Sequence, residues 1–159
     1  METSTLTSLL GETWFGANLP VTARARLAAV GTVVQLREGT VVIREGQPCE
    51  AMGIVLDGRV ALRLGIPPSH PRTILTIDRG DVFGWSAALP GTPASSTCVA
   101  ATPCRAILFE AFGLCAALEA DPELAAAVYR QLLACVARRL ATTRLQLLDL
   151  YGSGAESRR

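Results

Sequence analysis

From Thr32 to Phe109 the chain breaks into short β-branched runs about ten residues apart, and no other feature narrows its fold as much. The runs are TVVQL (32–36), VVI (41–43), GIVLD (53–57), RVALRL (59–64), TILTI (73–77), STCVAA (96–101) and RAILF (105–109). Gly, Pro and Asp fill the gaps between them. Strands this short, separated by turn residues rather than by helices, build antiparallel rolls and barrels. The tripeptide DGR (57–59) predicts a hairpin. The prolines of LGIPPSHPR (64–72) predict a wider loop, because proline cannot pair as a strand residue.

Helical patterns flank this β region. Residues 3–11 carry a short one, and 18–31 a second with Pro20 in its first turn and Gly31 as its stop. After Phe109 the pattern stays helical, with a short helix over 110–120. Asp121, ahead of Pro122 and Glu123, reads as the N-cap of a longer helix. That helix is expected to reach about Tyr151 and to stop at GSG (152–154), leaving 152–159 as a flexible tail. Along it Tyr129, Leu133, Val136, Leu140, Thr143 and Leu147 alternate steps of four and three, one seam of a heptad repeat. Leu124, Val128, Leu132 and Cys135 form a second stripe. A helix apolar over so much of its girth needs two partners. One is its own β-roll. The other is the same helix of a second molecule, unless the whole helix is buried in its own core. The fold class is therefore α+β: an antiparallel, jelly-roll-like β-roll (32–109) with short N-terminal helices and C-terminal helices (110–151), the last of them a dimerisation helix, in one domain spanning 1–151.

Composition narrows the function. The chain has 159 residues, is half apolar, is 18% charged and carries a net charge of +1. That balance argues against a general nucleic-acid or membrane-surface binder, which needs clustered positive charge. METSTLTSLLGETWF lacks the cationic start and apolar core of a secretory signal. No run of about 18 uncharged apolar residues occurs, so a cytoplasmic protein is expected. Five scattered cysteines without a C-x-x-C pair fit reduced, buried thiols. His70 lies in a proline-rich loop, and zinc-ligand spacings are missing, so no metal is expected. No G-x-S-x-G elbow occurs and no His neighbours Ser95 or Ser96, so the reading is not an enzyme.

LREGTVVIREGQPCEAMGIVLDGRVALRL, followed by IDRGDVFGWSAALPGTPASSTCVAA, resembles the cyclic nucleotide-binding domain. That family includes catabolite activator proteins, regulatory subunits of cyclic-AMP-dependent kinases and cyclic-nucleotide-gated channels. The marks are Gly39, Glu45–Gly46, Gly58, Gly80–Asp81 and Phe83–Gly84. The resemblance implies a phosphate-binding cassette after Phe83–Gly84, in which a short helix turns backbone N–H groups toward a cyclic phosphate. The family adds a Glu for the ribose hydroxyl and, about nine residues on, an Arg for the phosphate. Here Trp85 and Ala94 occupy those positions. Charged hydrogen bonds contribute roughly 1.5–3 kcal/mol each, so losing both weakens nucleotide binding by about two to four decades.

The ligand-binding residues implied are Phe83, Gly84, Trp85, Ser86, Ala87, Ala94, Ser95, Ser96 and Thr97, with Leu62, Ile74 and Val82 as apolar walls. Thr143 falls where catabolite activators place a purine-contacting Thr. Trp85 either stacks on a ligand ring or plugs the space of one. Arg63, Arg72, Arg79 and Arg105 are candidates to turn inward in place of the missing Arg, while Arg138, Arg139 and Arg144 are expected in solvent or beside acidic neighbours. No helix-turn-helix or basic patch follows the long helix, so DNA is not an expected partner, nor is a membrane. Two functions fit: a sensor domain for a small ligand such as cyclic AMP or cyclic GMP, signalling through a homodimer, or a degenerate domain with a closed pocket that engages a separate effector protein. No cofactor is implied beyond the possible nucleotide.

Overall fold

β-branched residues give each short run a face to bury, and stacking two sheets face to face buries both at once. The computed structural model describes residues 3–65 and 70–156. Its strands are β1 (Gly31–Leu36), β2 (Val41–Ile43), β3 (Ala51–Asp57), β4 (Val60–Leu64), β5 (Arg72–Ile77), β6 (Val82–Phe83), β7 (Thr97–Ala100) and β8 (Cys104–Glu110). They form one sheet in the order β1-β8-β3-β6 and another in the order β2-β7-β4-β5. Every pairing is antiparallel. The expected β-roll is present. β3, flanked on both sides, buries every residue from Met52 to Leu56, and Phe83 and Phe109 close the core around it.

Turn chemistry at DGR does not make a hairpin. Gly58 takes φ +78, and a Cβ there would lie 2.3 Å from the Pro103 carbonyl oxygen, so the turn is as tight as expected. Yet β3 pairs with β8 and β6, whereas β4 pairs with β7 and β5. The turn carries the chain from one sheet to the other. It is a sandwich corner. The two-residue β6 and the four-residue helix α2 (Trp14–Ala17) are additional elements too short to show a period in sequence.

Helix α1 (Thr3–Gly11) matches its expected span, and α3 (Val21–Ala28) is shorter than the 18–31 pattern. Pro20 is the N-cap residue of α3, at φ −52 and ψ 145, rather than part of its first turn. Gly31 opens β1 instead of stopping the helix. Helix α4 (Ala111–Ala120) leads to α5 (Pro122–Glu156). Asp121 caps α5 as expected, its Oδ1 accepting from the Leu124 N–H at 3.1 Å. That hydrogen bond, with Arg26 at 2.6 Å, holds the Asp121 carboxyl below its ordinary value.

Helix α5 continues through Gly152 and Gly154 to Glu156, so the expected stop at GSG is not made. Residues 157–159 of the expected tail lie outside the described residues. The helix has two halves. Leu124, Ala127, Val128, Leu132 and Cys135 are buried in the core, where α5 packs against α3 and α4. From Val136 to Asp149 no residue is fully buried. No helix among the described residues is long and apolar enough to cross a membrane.

Candidate functional site

Gly84 shapes the site. It takes φ +68, and a Cβ there would lie 2.4 Å from both the Ala51 carbonyl oxygen and Ile43 Cδ1. Only glycine fits this left-handed, crowded position. The chain leaves β6 there and enters a single 3-10 turn, Trp85–Ala88. Two backbone hydrogen bonds fasten the returning loop, Ala94 N–H to Gln47 O at 2.9 Å and Gly46 N–H to Ala94 O at 2.8 Å. Turn, loop, second sheet and α5 then enclose a cavity of about 490 Å³, a volume suited to a small organic molecule.

Of the residues expected at the ligand, Gly84, Trp85, Ser86, Ala94, Ser95, Ser96 and Thr143 line this cavity, as do the expected walls Leu62 and Ile74. Four others do not. Val82 and Phe83 are fully buried in β6, where they pair with Ile54 and Gly53. Thr97 begins β7 and its Oγ1 accepts from the Glu45 N–H at 3.0 Å. Ala87 lines a separate hollow of about 500 Å³ behind the turn, with Leu89, Phe112 and Cys115. The back of the turn is tied down there: the Cys115 thiol donates to Ala87 O at 3.3 Å and the Tyr129 hydroxyl to Ala88 O at 3.1 Å. Tyr129 thus serves the cassette turn as well as the helix seam. Trp85 lines the 490 Å³ cavity without filling it.

The cavity also holds a cation that cassette reasoning misses. Arg63, Arg72, Arg79 and Arg105 are not among its lining residues, but Arg139 of α5 is. Its side chain is only 13% exposed. Nη2 donates to the Val82 carbonyl oxygen and lies 3.5 Å from Asp81 Oδ1, while Nε is buried without an acceptor. Asp81 is also held by Arg138, whose Nη2 lies 2.7 Å from Oδ2 and whose guanidinium stacks 3.9 Å over the Trp14 ring. Both arginines pair with an acidic neighbour, as expected, yet Arg139 does so from inside the cavity wall. The signal was available in the spacing: Arg139 and Thr143 are four residues apart and share a helix face.

Two thiols complete the wall. Burial pushes Cys98 up to about 12, reinforced by neighbouring Cys49, whose own thiol burial also raises. Both remain protonated at neutral pH and act as apolar lining rather than as nucleophiles. No group of three or more potential metal-ligating side chains occurs among the described residues.

The cyclic nucleotide-binding domain pattern matches residues 33–128, which include β2 to β8 and the whole cassette. A CRP-like cAMP-activated global transcriptional regulator of Mycobacterium tuberculosis is 27% identical over 117 residues, covering 74% of this chain and 50% of that protein. The chain therefore spans about half the length of this relative. Among solved structures, a cyclic nucleotide-binding domain from Methylobacillus flagellatus has a TM-score of 0.76 at 20% identity, over 92% of this chain and 83% of the other. The N-terminal domain of a transcriptional regulator from Streptomyces coelicolor has a TM-score of 0.65 at 25% identity, over 87% and 94%. With two sheets in a β-roll, a glycine-led cassette turn and a pattern match over most of the chain, this protein belongs to the cyclic nucleotide-binding domain family.

Proposed function

We propose that the protein is a ligand-sensing regulatory domain that takes a small anionic molecule into the cassette cavity and reports its presence through a homodimer formed along α5. One observation carries this reading: the open cavity of about 490 Å³ is walled on one side by the cassette turn and on the other by Arg139, Thr143 and Leu147 of α5. Leu147 belongs to the heptad seam, so ligand and interface share one helix. Occupancy then biases how two copies of α5 pack, a two-state coupling of modest free energy.

The M. tuberculosis relative is described as cAMP-activated, which makes cyclic nucleotides natural members of any ligand panel. Trp85 and Ala94 argue for weak nucleotide binding here, because neither supplies an ionic contact to ribose or phosphate. The closed-pocket alternative is disfavoured because Trp85 stands in the wall and leaves the cavity open.

Filling the cavity tests the reading. A panel of small anions, including cyclic nucleotides, nucleoside monophosphates and organic acids, is titrated while tryptophan fluorescence is followed. Ala94 is 5% exposed and lines the cavity, so Ala94→Phe places a ring in the ligand space. Any anion that binds the unaltered protein is expected to lose at least about ten-fold in affinity in Ala94→Phe. An affinity unchanged by that plug, or a panel in which nothing binds, contradicts a ligand site in this cavity.

A further inference from the structure

The charge and the walls of the cavity select its occupant more narrowly than the family does. Asp81 is one carboxylate shared by two guanidinium groups, at 2.7 Å from Arg138 and 3.5 Å from Arg139. The cluster keeps one positive charge in excess. Arg139 is the one charged side chain among the described lining residues of the cavity, and its Nε–H is buried without an acceptor. A single negative charge, of a carboxylate or of a cyclic phosphodiester, balances the cluster; a phosphomonoester, with nearly two, overshoots it.

Much of the remaining wall is apolar, formed by Ile43, Leu62, Leu64, Ile74, Leu75 and Trp85. Ribose hydroxyls set against such a wall lose their water without gaining a strong acceptor, since Trp85 stands where the family has its Glu. Hydrogen-bonding capacity comes from the Ser86, Ser95 and Ser96 hydroxyls of the cassette and from Arg139, Thr143 and Gln146 of α5. The lining thus offers one cation and a few neutral polar groups in a wall that is otherwise apolar.

We propose that the natural occupant is an amphipathic monocarboxylate, an aryl- or alkyl-acetic acid, with its carboxylate on Arg139 and its apolar body against Trp85 and the β4–β5 wall. This rests on the reading of the cavity as a ligand site and names the ligand's chemistry. The charge comes from the signalling helix itself, so a bound acid competes with Asp81 for Arg139 and loosens the tie between α5 and the cassette.

Calorimetric titration of the full chain with 1-naphthylacetate, its uncharged amide and cyclic AMP separates the possibilities. The acid is expected to bind at least about ten-fold tighter than both the amide and cyclic AMP. Arg139→Gln is expected to remove the advantage of acid over amide. The acid-to-amide comparison is made on the unaltered protein and does not depend on the variant folding. Equal binding of acid and amide overturns the proposal and leaves a ligand cavity intact. Tighter binding of cyclic AMP than of the acid overturns the ligand class alone and retains the sensor reading. If none of the three binds, the proposal and the sensor reading fall together.

Discussion

Replacing Asp81 by asparagine is expected to lower the free energy of unfolding by about 2–4 kcal/mol, the larger of the two stability effects the structure implies. The substitution keeps the shape of the side chain and an oxygen able to accept from the Val82 N–H at 2.8 Å. It removes the charge that Arg138 and Arg139 share. Arg139 is 13% exposed and is then left as a nearly buried cation with only the Val82 carbonyl as its acceptor. Breaking a fully buried pair costs about 3–5 kcal/mol. The Asp81 side chain is 23% exposed, so solvent screens part of that loss. Arg138→Gln is the contrasting case: that side chain is 43% exposed and its pair is expected to contribute less than about 1 kcal/mol. Urea denaturation with an unchanged m-value measures both. A loss below about 0.5 kcal/mol for Asp81→Asn contradicts a structural role for the shared carboxylate.

A charge at Leu140 is expected to weaken self-association by about two to four decades. Leu133, Leu140 and Leu147 recur every seven residues and are 69%, 49% and 49% exposed, while Leu124, Val128 and Leu132 on the neighbouring stripe are buried in the core. The described residues leave about half or more of each of these leucines open, and heptad spacing fits a second copy of the same helix. In a two-fold dimer one substitution acts twice. Losing two buried leucines costs roughly 3–6 kcal/mol at 1.5–3 kcal/mol each. With the dimer proposed along α5, sedimentation is expected to give dimer for the unaltered protein and monomer for Leu140→Glu at the same concentration. Monomer stability is expected to change little, because Leu140 is half exposed in the isolated chain. An identical sedimentation profile for the two proteins removes α5 as the dimer interface.

The sheets were legible because strand runs announce themselves through β-branched residues and turn signals, and seven of the eight strands carry such a run. Strand partnership was not. Gly58 dictates that the chain turns, but a local turn cannot say whether the next strand pairs or crosses to the opposite sheet, as β4 does. The cassette was legible in its glycines, since positive φ at Gly84 leaves few substitutes. Its side-chain directions were harder to read. Val82 lies two residues before Gly84 yet is buried in the core together with Phe83, where β6 pairs with β3. Arg139 is hard to read as a cavity residue from sequence because it lies neither in the cassette nor on a neighbouring strand. Packing of α5 across the cavity mouth brings it in over a distance of more than fifty residues, as its contact with Val82 shows.

The central claim is that this fold retains the family's hollow while its positive charge has moved from the cassette to the long helix. Calorimetric titration of cyclic AMP into the unaltered protein and into Trp85→Glu/Ala94→Arg measures this directly. The account predicts millimolar or weaker binding to the unaltered protein and a gain of about two to four decades when the two cassette anchors are restored. Micromolar binding of cyclic AMP to the unaltered protein, with no gain in the double variant, would contradict it.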